Sequence, residues 1–425
     1  MAVIRRLSAL EILDSRGRPT VQAACELDGG AVGQVSVPSG ASTGAAEALE
    51  LRDGDLARYR GLGCRKAVAH VDGEINNALR GRAFAHQAEL DQALLELDGT
   101  PSKARLGANA ILAVSLAYAR AEAVAERVPL YHHFARILGG PAGQAHTLPR
   151  PTINLFSGGK HAGGQVPIQD VLVVPVSART MDEALAMTFA IYYAAADLCW
   201  RKYGMRTLTA DEGGLAPPFA NATAMLDDAV AAIEEAGLRP GSDVALAIDV
   251  ASTHFYRAGR YYLDAEPHDS LAQIRQIERW LAAYPIISVE DGLAEEDWDH
   301  WPLLRARIGG QALVLGDDLL CTNSARIRRA IDRQAADALL LKVNQIGTLT
   351  EAAEACRLAR AAGWRVTISA RSGETEDNWL ADLAVGWSGD QIKVGSITQS
   401  ERLAKYNRLL AIEAETGFPL VGWPN

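Results

Sequence analysis

The chain has 425 residues, of which 48% are hydrophobic and 22% are charged, which fits one large or two medium globular domains and argues against disorder. The formal net charge of −10 gives a nucleic-acid role no electrostatic support. The chain shows neither a signal peptide nor an apolar run of about 18 residues, so we expect a cytoplasmic protein that does not span a membrane.

The first 138 residues predict a small α+β domain. Apolar residues alternate over 2–12, 20–27 and 33–37, which predicts three strands. Between residues 63 and 136 they recur three and four positions apart, which predicts helices. Strands followed by helices favour an α+β capping domain over 1–138, and the glycine-rich run 139–143 is the predicted linker.

The remaining residues, 139–425, follow a rhythm of strand, loop and helix. Six short apolar segments lead in turn to the charged residues Asp249, Glu290, Asp317, Lys342, Arg371 and Lys393. Buried strands that end in charges are typical of a parallel barrel, whose active site lies at the C-terminal rim. A doubly wound nucleotide-binding fold is the alternative, but neither of its glycine-rich motifs is present.

The first three of these charges predict a metal site. Asp249, Glu290 and Asp317 suit Mg²⁺, which prefers oxygen ligands, and without a cation they would repel one another. The alternative is that each carboxylate caps a following helix. Lysines make up only seven of the 42 basic residues, yet Lys342 and Lys393 stand at strand ends. Arginine cannot release its proton near neutral pH, so a lysine there favours proton abstraction.

Eight motifs carry a more specific signal. They are EILDSRG at 11–17, VPSGASTG at 37–44, LGANAI at 106–111, DEGG at 211–214, SVEDG at 288–292, GDDL at 316–319, LKVNQIGTLT at 341–350 and RSGETED at 371–377. In this order and spacing the chain resembles the enolases, the phosphopyruvate hydratases, over nearly its whole length. The resemblance implies an enolase-type (β/α)8 TIM-like barrel below the capping domain.

The resemblance also implies roles. Asp249, Glu290 and Asp317 would hold one Mg²⁺, and Ser42 would help to hold a second together with substrate. Lys342 would be the base and Glu212 the acid. The other implied site residues are Asp170, His161 and Gln169 beside the substrate, Arg371 and Ser372 at its phosphate, Lys393 at its carboxylate, and Ala370. The alternatives are a simple turn for Ser42, a solvated loop histidine for His161, a helix-terminal charge for Glu212, and an ordinary surface pair for Arg371 and Ser372.

The implied chemistry predicts two shifted pKa values. Neighbouring cations should lower the pKa of Lys342, so that it is neutral often enough to act as a base, a pairing with Mg²⁺ already known in the enolase superfamily. Glu212 should have a raised pKa, helped by the nearby carboxylate of Asp170, because it must carry a proton when hydroxide leaves.

Several residues depart from the family pattern. Ala370 stands in place of a histidine, Asp170 in place of a glutamate, and Ser157 in place of an asparagine. Gly163 and Gly164 replace an Asp-Asn pair in a mobile loop. The losses at Ala370 and Asp170 predict a larger cavity at the phosphoryl end of the pocket, and the two glycines predict a looser loop.

Three functions follow. The first is a lyase that eliminates water from a 2-phosphoglycerate analogue with a larger phosphorus substituent, like a carboxyphosphonoenolpyruvate synthase of phosphinate-antibiotic pathways. The second is an ordinary glycolytic enolase. The third is a non-catalytic binding protein on an enolase scaffold. The predicted partners are a small phosphorylated or phosphonylated carboxylate and, by resemblance, a second copy in a homodimer or higher homo-oligomer.

Overall fold

The N-terminal part of the chain is an antiparallel sheet covered by helices. The computed structural model describes residues 3–41, 44–139, 147–204, 208–263 and 266–422. The sheet has the order β1-β2-β3, with strands β1 (Ile4–Leu13), β2 (Pro19–Leu27) and β3 (Val32–Ser36). The helices are α1 (Arg65–His70), α2 (Asn76–Leu79), α3 (Gln87–Asp98), α4 (Ala108–Glu126) and α5 (Leu130–Leu138). The three predicted strands are therefore confirmed to within two residues.

Helix α4 holds this capping domain together. Fourteen of its residues are buried, and it packs across strands β2 and β3. The approach is close at Gly33, where a Cβ atom would lie 2.2 Å from the carbonyl oxygen of Ala117 and 2.3 Å from the amide nitrogen of Ala121. The glycine therefore sets the distance between sheet and helix.

The C-terminal part is a closed barrel of eight strands, β4-β5-β6-β9-β10-β11-β12-β13. They are β4 (Arg150–Ser157), β5 (Asp170–Val174), β6 (Ala245–Asp249), β9 (Ile286–Glu290), β10 (Leu313–Gly316), β11 (Ala338–Leu341), β12 (Arg365–Ser369) and β13 (Gln391–Lys393). A small hairpin, β7 (Tyr256–Arg257) and β8 (Arg260–Tyr261), lies in the loop after β6. All six apolar segments that the sequence places before charges are strands of this barrel.

Helices surround the barrel. They are α6 (Met181–Tyr203), α7 (Ala222–Glu235), α8 (Ser270–Ala283), α9 (Trp301–Ile308), α10 (Ser324–Arg333), α11 (Val343–Ile346), α12 (Leu349–Ala361), α13 (Trp379–Gly386) and α14 (Ser400–Thr416). None of the helices in the described ranges is long and apolar enough to cross a membrane. Most of the predicted linker lies outside the described residues, so the domain boundary after residue 138 stays a prediction.

One strand departs from an all-parallel barrel. Strand β5 runs antiparallel to both neighbours, β4 and β6. The connection from Ser157 to Asp170 contains only a short 3₁₀ turn, whereas a parallel return needs a longer crossover, usually a helix. Asp170, the first residue of β5, therefore lies at the rim where the parallel strands end. It is paired there with Asp249, the last residue of β6.

Replacement of Gly33 by alanine should destabilise the capping domain, because the new methyl group would meet backbone atoms that cannot rotate away. We expect Gly33→Ala to lower the free energy of unfolding by about 1–3 kcal/mol in a urea titration. Gly73→Ala is the matched control, since a Cβ atom there meets nothing within 4 Å. An equal response of the two variants would contradict the role given to Gly33.

Candidate active site

The predicted site residues meet at one rim of the barrel. A single cavity there is lined by Ala41, His161, Gln169, Glu212, Asp249, Lys342, Ser369, Ala370, Arg371, Ser372 and Lys393. Nine of these are residues that the sequence placed in the site. Asp170, Glu290 and Asp317 lie just behind this lining, in contact with residues that belong to it. Ser42 lies outside the described residues.

Two of the predicted metal ligands share one ammonium group. The Nζ atom of Lys393 donates to Asp249 Oδ2 at 2.9 Å and to Glu290 Oε2 at 2.6 Å. Burial raises the pKa of Glu290 well above its usual value, and the charge of Asp249 adds to the effect. Burial also acts on Asp249, but the Lys393 charge prevails and lowers its pKa to about 2. Negative charge here thus exceeds what Lys393 alone neutralises.

The third carboxylate contacts the other strand-end lysine. Lys342 Nζ donates to Asp317 Oδ2, and Gln345 Nε2 donates to Asp317 Oδ1 at 2.8 Å. Burial lowers the pKa of Lys342, but the Asp317 carboxylate outweighs it, so the pKa is raised. The lowered pKa expected for Lys342 depends on Mg²⁺ as well as on Lys393, so it stays a prediction, whereas beside Asp317 alone the pKa of Lys342 is raised.

The three predicted metal ligands do not form one tight cluster. Within the described ranges, two sets of three potential metal ligands have ligand atoms that all lie within 4.8 Å of one another. They are His161–Asp170–Glu212 and Asp291–Asp317–Asp318. Asp249 and Glu290 contact Lys393 instead, so the expected convergence of all three carboxylates on one point is corrected. Helix capping does not explain them either, because α8, α9 and α10 begin after Asp269, His300 and Asn323.

The predicted acid, Glu212, lies in a buried chain of polar side chains that also contains His161 and Asp170. His161 Nδ1 contacts Asp170 Oδ2 at 2.9 Å, and His161 Nε2 lies 3.6 Å from Glu212 Oε1. Burial lowers the pKa of His161, but the two carboxylates raise it to about 9 overall. Burial raises the pKa of Glu212, yet His161 and the lysines outweigh burial and lower it. The expected raised pKa of Glu212 is thus wrong here, because a cationic ring lies beside it.

The predicted phosphate ligands are also engaged by side chains. Arg371 Nη1 donates to Glu47 Oε2 at 3.0 Å and to Asn344 Oδ1 at 2.8 Å. Arg16, from the capping domain, donates to Ser372 Oγ at 3.1 Å. Arg371 and Ser372 are both 4% exposed, so their interpretation as a surface pair is wrong, as is that of the buried His161 as a solvated loop residue.

Among the residues that the structure describes, there is no larger cavity beside Ala370 of the kind expected. Ala370 faces the cavity at the rim, but the space there is only about 10 Å³, close to the volume needed for one water molecule. The Arg371–Glu47 and Lys342–Asp317 ion pairs lie beside this space. Loss of the histidine ring has therefore left no void in this structure. The backbone of Gly163 and Gly164 has φ values of +83° and +82°, which residues other than glycine rarely adopt.

Among the residues that sequence reasoning missed, three contact predicted site residues closely. Asn154 Nδ2 donates to Glu212 Oε2 at 3.0 Å, while Glu47 contacts Arg371 and Gln345 contacts Asp317. Glu47 and Gln345 stand in or beside motifs that point to the site, which was a usable signal. Asn154 carried none, because it lies inside the fully buried strand β4.

Comparisons with known proteins agree with this geometry. Residues 4–134 match the model of the enolase N-terminal domain, and residues 145–419 match that of the enolase C-terminal TIM barrel domain. A curated relative named Enolase, from Acidothermus cellulolyticus, is 51% identical over 415 residues, which cover 98% of this chain and 95% of the relative. Fold and site thus define an enolase-superfamily hydro-lyase, of the phosphopyruvate hydratase type. The chain belongs to the enolase family.

The buried Arg371–Glu47 pair should matter for stability. Glu47→Gln leaves a charged guanidinium that is largely removed from water, so we expect the free energy of unfolding to fall by about 3 kcal/mol. Glu235→Gln is the matched control, because its pair with Arg201 is exposed and should contribute at most about 1 kcal/mol. Equal losses in urea denaturation would show that the Arg371–Glu47 pair contributes little.

Proposed function

We propose that the protein converts 2-phosphoglycerate into phosphoenolpyruvate and water, the ordinary enolase reaction. The observation that carries this proposal is that Lys342 and Glu212 line one small cavity together with Arg371 and Lys393. A base, an acid and two substrate-binding cations thus face the same space. The 51% identical relative named Enolase supports the same reaction.

The residues divide the reaction between them. Lys342 Nζ, when neutral, takes the proton from the carbon beside the substrate carboxylate, which leaves two negative charges on that group. Lys393, cationic and buried, stabilises this charge, because a preorganised cation acts strongly where water is excluded. Glu212, when protonated, then gives its proton to the departing hydroxide. The carbon–oxygen bond breaks, a double bond forms, and one water molecule leaves.

The residues present fit a divalent cation. Glu290 Oε1 is buried and makes no hydrogen bond to any described atom, so it can accept a metal ion. Asp249, Glu290 and Asp317 would hold Mg²⁺ once they approach one another, for which Asp249 and Glu290 would give up part of their contact with Lys393, and Asp317 part of its contact with Lys342. Mg²⁺, when bound, supplies positive charge to the doubly charged carboxylate. Lys393 would then be free to bind the substrate carboxylate.

Substrate phosphate would replace the carboxylate of Glu47 at Arg371. The guanidinium binds Glu47 through two nitrogens, at 3.0 and 3.2 Å, and phosphate offers oxygen acceptors with the same geometry. Glu47 lies in the segment of the capping domain that also contributes Ala41 to the cavity. The exchange would couple substrate binding to movement of this segment.

The enlarged-substrate hypothesis loses its main support. It rested on a larger cavity beside Ala370, and the space there is about 10 Å³. The curated relative also carries the plain name Enolase rather than that of a specialised synthase. We therefore favour the ordinary enolase over the carboxyphosphonoenolpyruvate synthase, and a non-catalytic role least, because the base, the acid and the acidic residues are all in place. Cytoplasmic location and a homodimer stay predictions.

Turnover of two substrates decides between these functions. With Mg²⁺ present, we expect the purified protein to convert 2-phosphoglycerate and to show no preference for its carboxyphosphono analogue. Lys342→Met should lower kcat at least about 100-fold, because the base is lost. Lys66→Met, on the exposed surface of the capping domain, should leave it unchanged. Preference for the analogue would support the synthase hypothesis instead. Failure to turn over either substrate would favour a non-catalytic protein.

Metal binding can be measured without turnover. Mg²⁺ at 100 times its dissociation constant should stabilise the folded protein by about 2.7 kcal/mol and raise its Tm accordingly. Glu290→Gln should abolish most of this rise, because it neutralises the carboxylate with the unpartnered oxygen. Glu278→Gln, which alters a surface pair with Arg307, is the control and should respond like the wild type. An equal Mg²⁺ response of both variants would rule out Glu290 as a ligand.

A further inference from the structure

A chain of four side chains runs from the barrel wall to Glu212. Ser157 Oγ donates to Asp170 Oδ1 at 2.6 Å, and the other oxygen of Asp170 contacts His161 Nδ1 at 2.9 Å. The far side of the imidazole, Nε2, lies 3.6 Å from Glu212 Oε1. Each of these residues is at least nine-tenths buried. Of the four, Ser157 has no assigned role.

The backbone fixes Ser157 at the start of this chain. Ser157 and Asp170 are directly opposite each other in the antiparallel pair of β4 and β5, so their side chains share one face. The amide of Ser157 donates to the carbonyl of Leu215 at 2.9 Å. On the other side lies Gly214, where a Cβ atom would come within 2.5 Å of Ser157 Oγ. The hydroxyl is thus confined between Asp170 and the loop that carries Glu212.

The short side chain of Asp170 makes this confinement useful. The two oxygens of a carboxylate move together because the group is rigid, and aspartate has one rotatable bond fewer than glutamate, so holding one oxygen restricts the other more. With one oxygen held by Ser157, the other is fixed toward His161 Nδ1. That contact orients the ring and selects which nitrogen faces Asp170, so that Nε2 is directed at Glu212.

We propose that Ser157 is a positioning residue for the acid step, acting on Glu212 through Asp170 and His161. This inference rests on the proposed function, in which Glu212 protonates the leaving hydroxide. Ser157 touches neither that hydroxide nor the residues at the base. Its effect is therefore confined to the half of the reaction that follows proton abstraction by Lys342.

The chain contains a matched arrangement outside the cavity. Ser270 Oγ donates to Asp297 Oδ2 at 2.7 Å, and His300 Nδ1 contacts Asp297 Oδ1 at 2.6 Å. The same three residue types thus make the same two contacts, and none of them lines the cavity at the rim. Ser270→Ala removes an equivalent buried hydroxyl and is a control for purely structural damage.

The test separates the two halves of the reaction. We expect Ser157→Ala to lower kcat for 2-phosphoglycerate about 10- to 100-fold, as loss of an orienting partner commonly does, with KM little changed. Exchange of the substrate C2 hydrogen with solvent, which needs Lys342, should continue at the wild-type rate. Ser270→Ala should change neither rate. Parallel loss of elimination and exchange, or an unchanged kcat, would overturn the proposal.

A double-mutant cycle checks the route. In a His161→Asn background, Ser157→Ala should have no further effect on kcat, because the chain is already broken; independent effects would overturn the route through His161. The ring ¹⁵N chemical shifts of His161 give a readout without substrate. They should move in Ser157→Ala and stay in Ser270→Ala, and unchanged shifts in both would overturn the positioning role. An inactive wild-type protein would contradict the proposed function alone, since the shifts still decide the role of Ser157.

Discussion

Neutralisation of buried charge is the constraint on which the site depends. Carboxylates and cations meet at a rim from which water is largely excluded, and an unpaired charge there would cost several kcal/mol. The chain answers with pairs: Lys393 with Asp249 and Glu290, Lys342 with Asp317, Arg371 with Glu47. Each of these three cations therefore contacts a carboxylate of the protein itself. Binding of metal and substrate is therefore an exchange of partners.

The antiparallel strand β5 is the second constraint. Its reversal brings Gln169 and Asp170, at the beginning of a strand, to the rim where the other strands end. Gln169 Nε2 donates to Asp249 Oδ2 at 3.0 Å, and Asp170 contacts His161. One reversal thus places Asp249 and the His161–Glu212 pair beside the same strand. A fully parallel barrel would place both residues at the far end.

Much of the site could be predicted from the sequence because strands end in recognisable ways. Apolar runs followed by a charge located six residues at the rim, namely Asp249, Glu290, Asp317, Lys342, Arg371 and Lys393. The motif at 211–214 located Glu212. The errors concern the pKa direction of Glu212, the close approach of the three carboxylates, and the space beside Ala370. Such quantities depend on distances of a few ångströms between residues far apart in the chain, which spacing does not encode.

The sequence by itself determined the fold class, the family and a set of candidate site residues, because hydrophobic periodicity and local motifs are properties of neighbouring residues. Only the tertiary structure decided which anion each cation contacts, why Glu47 and Asn154 reach the site, and how Ser157 connects to Glu212. The physical reason is that electrostatic energy falls with distance in space, and barrel closure brings together side chains that the sequence separates by tens to hundreds of positions.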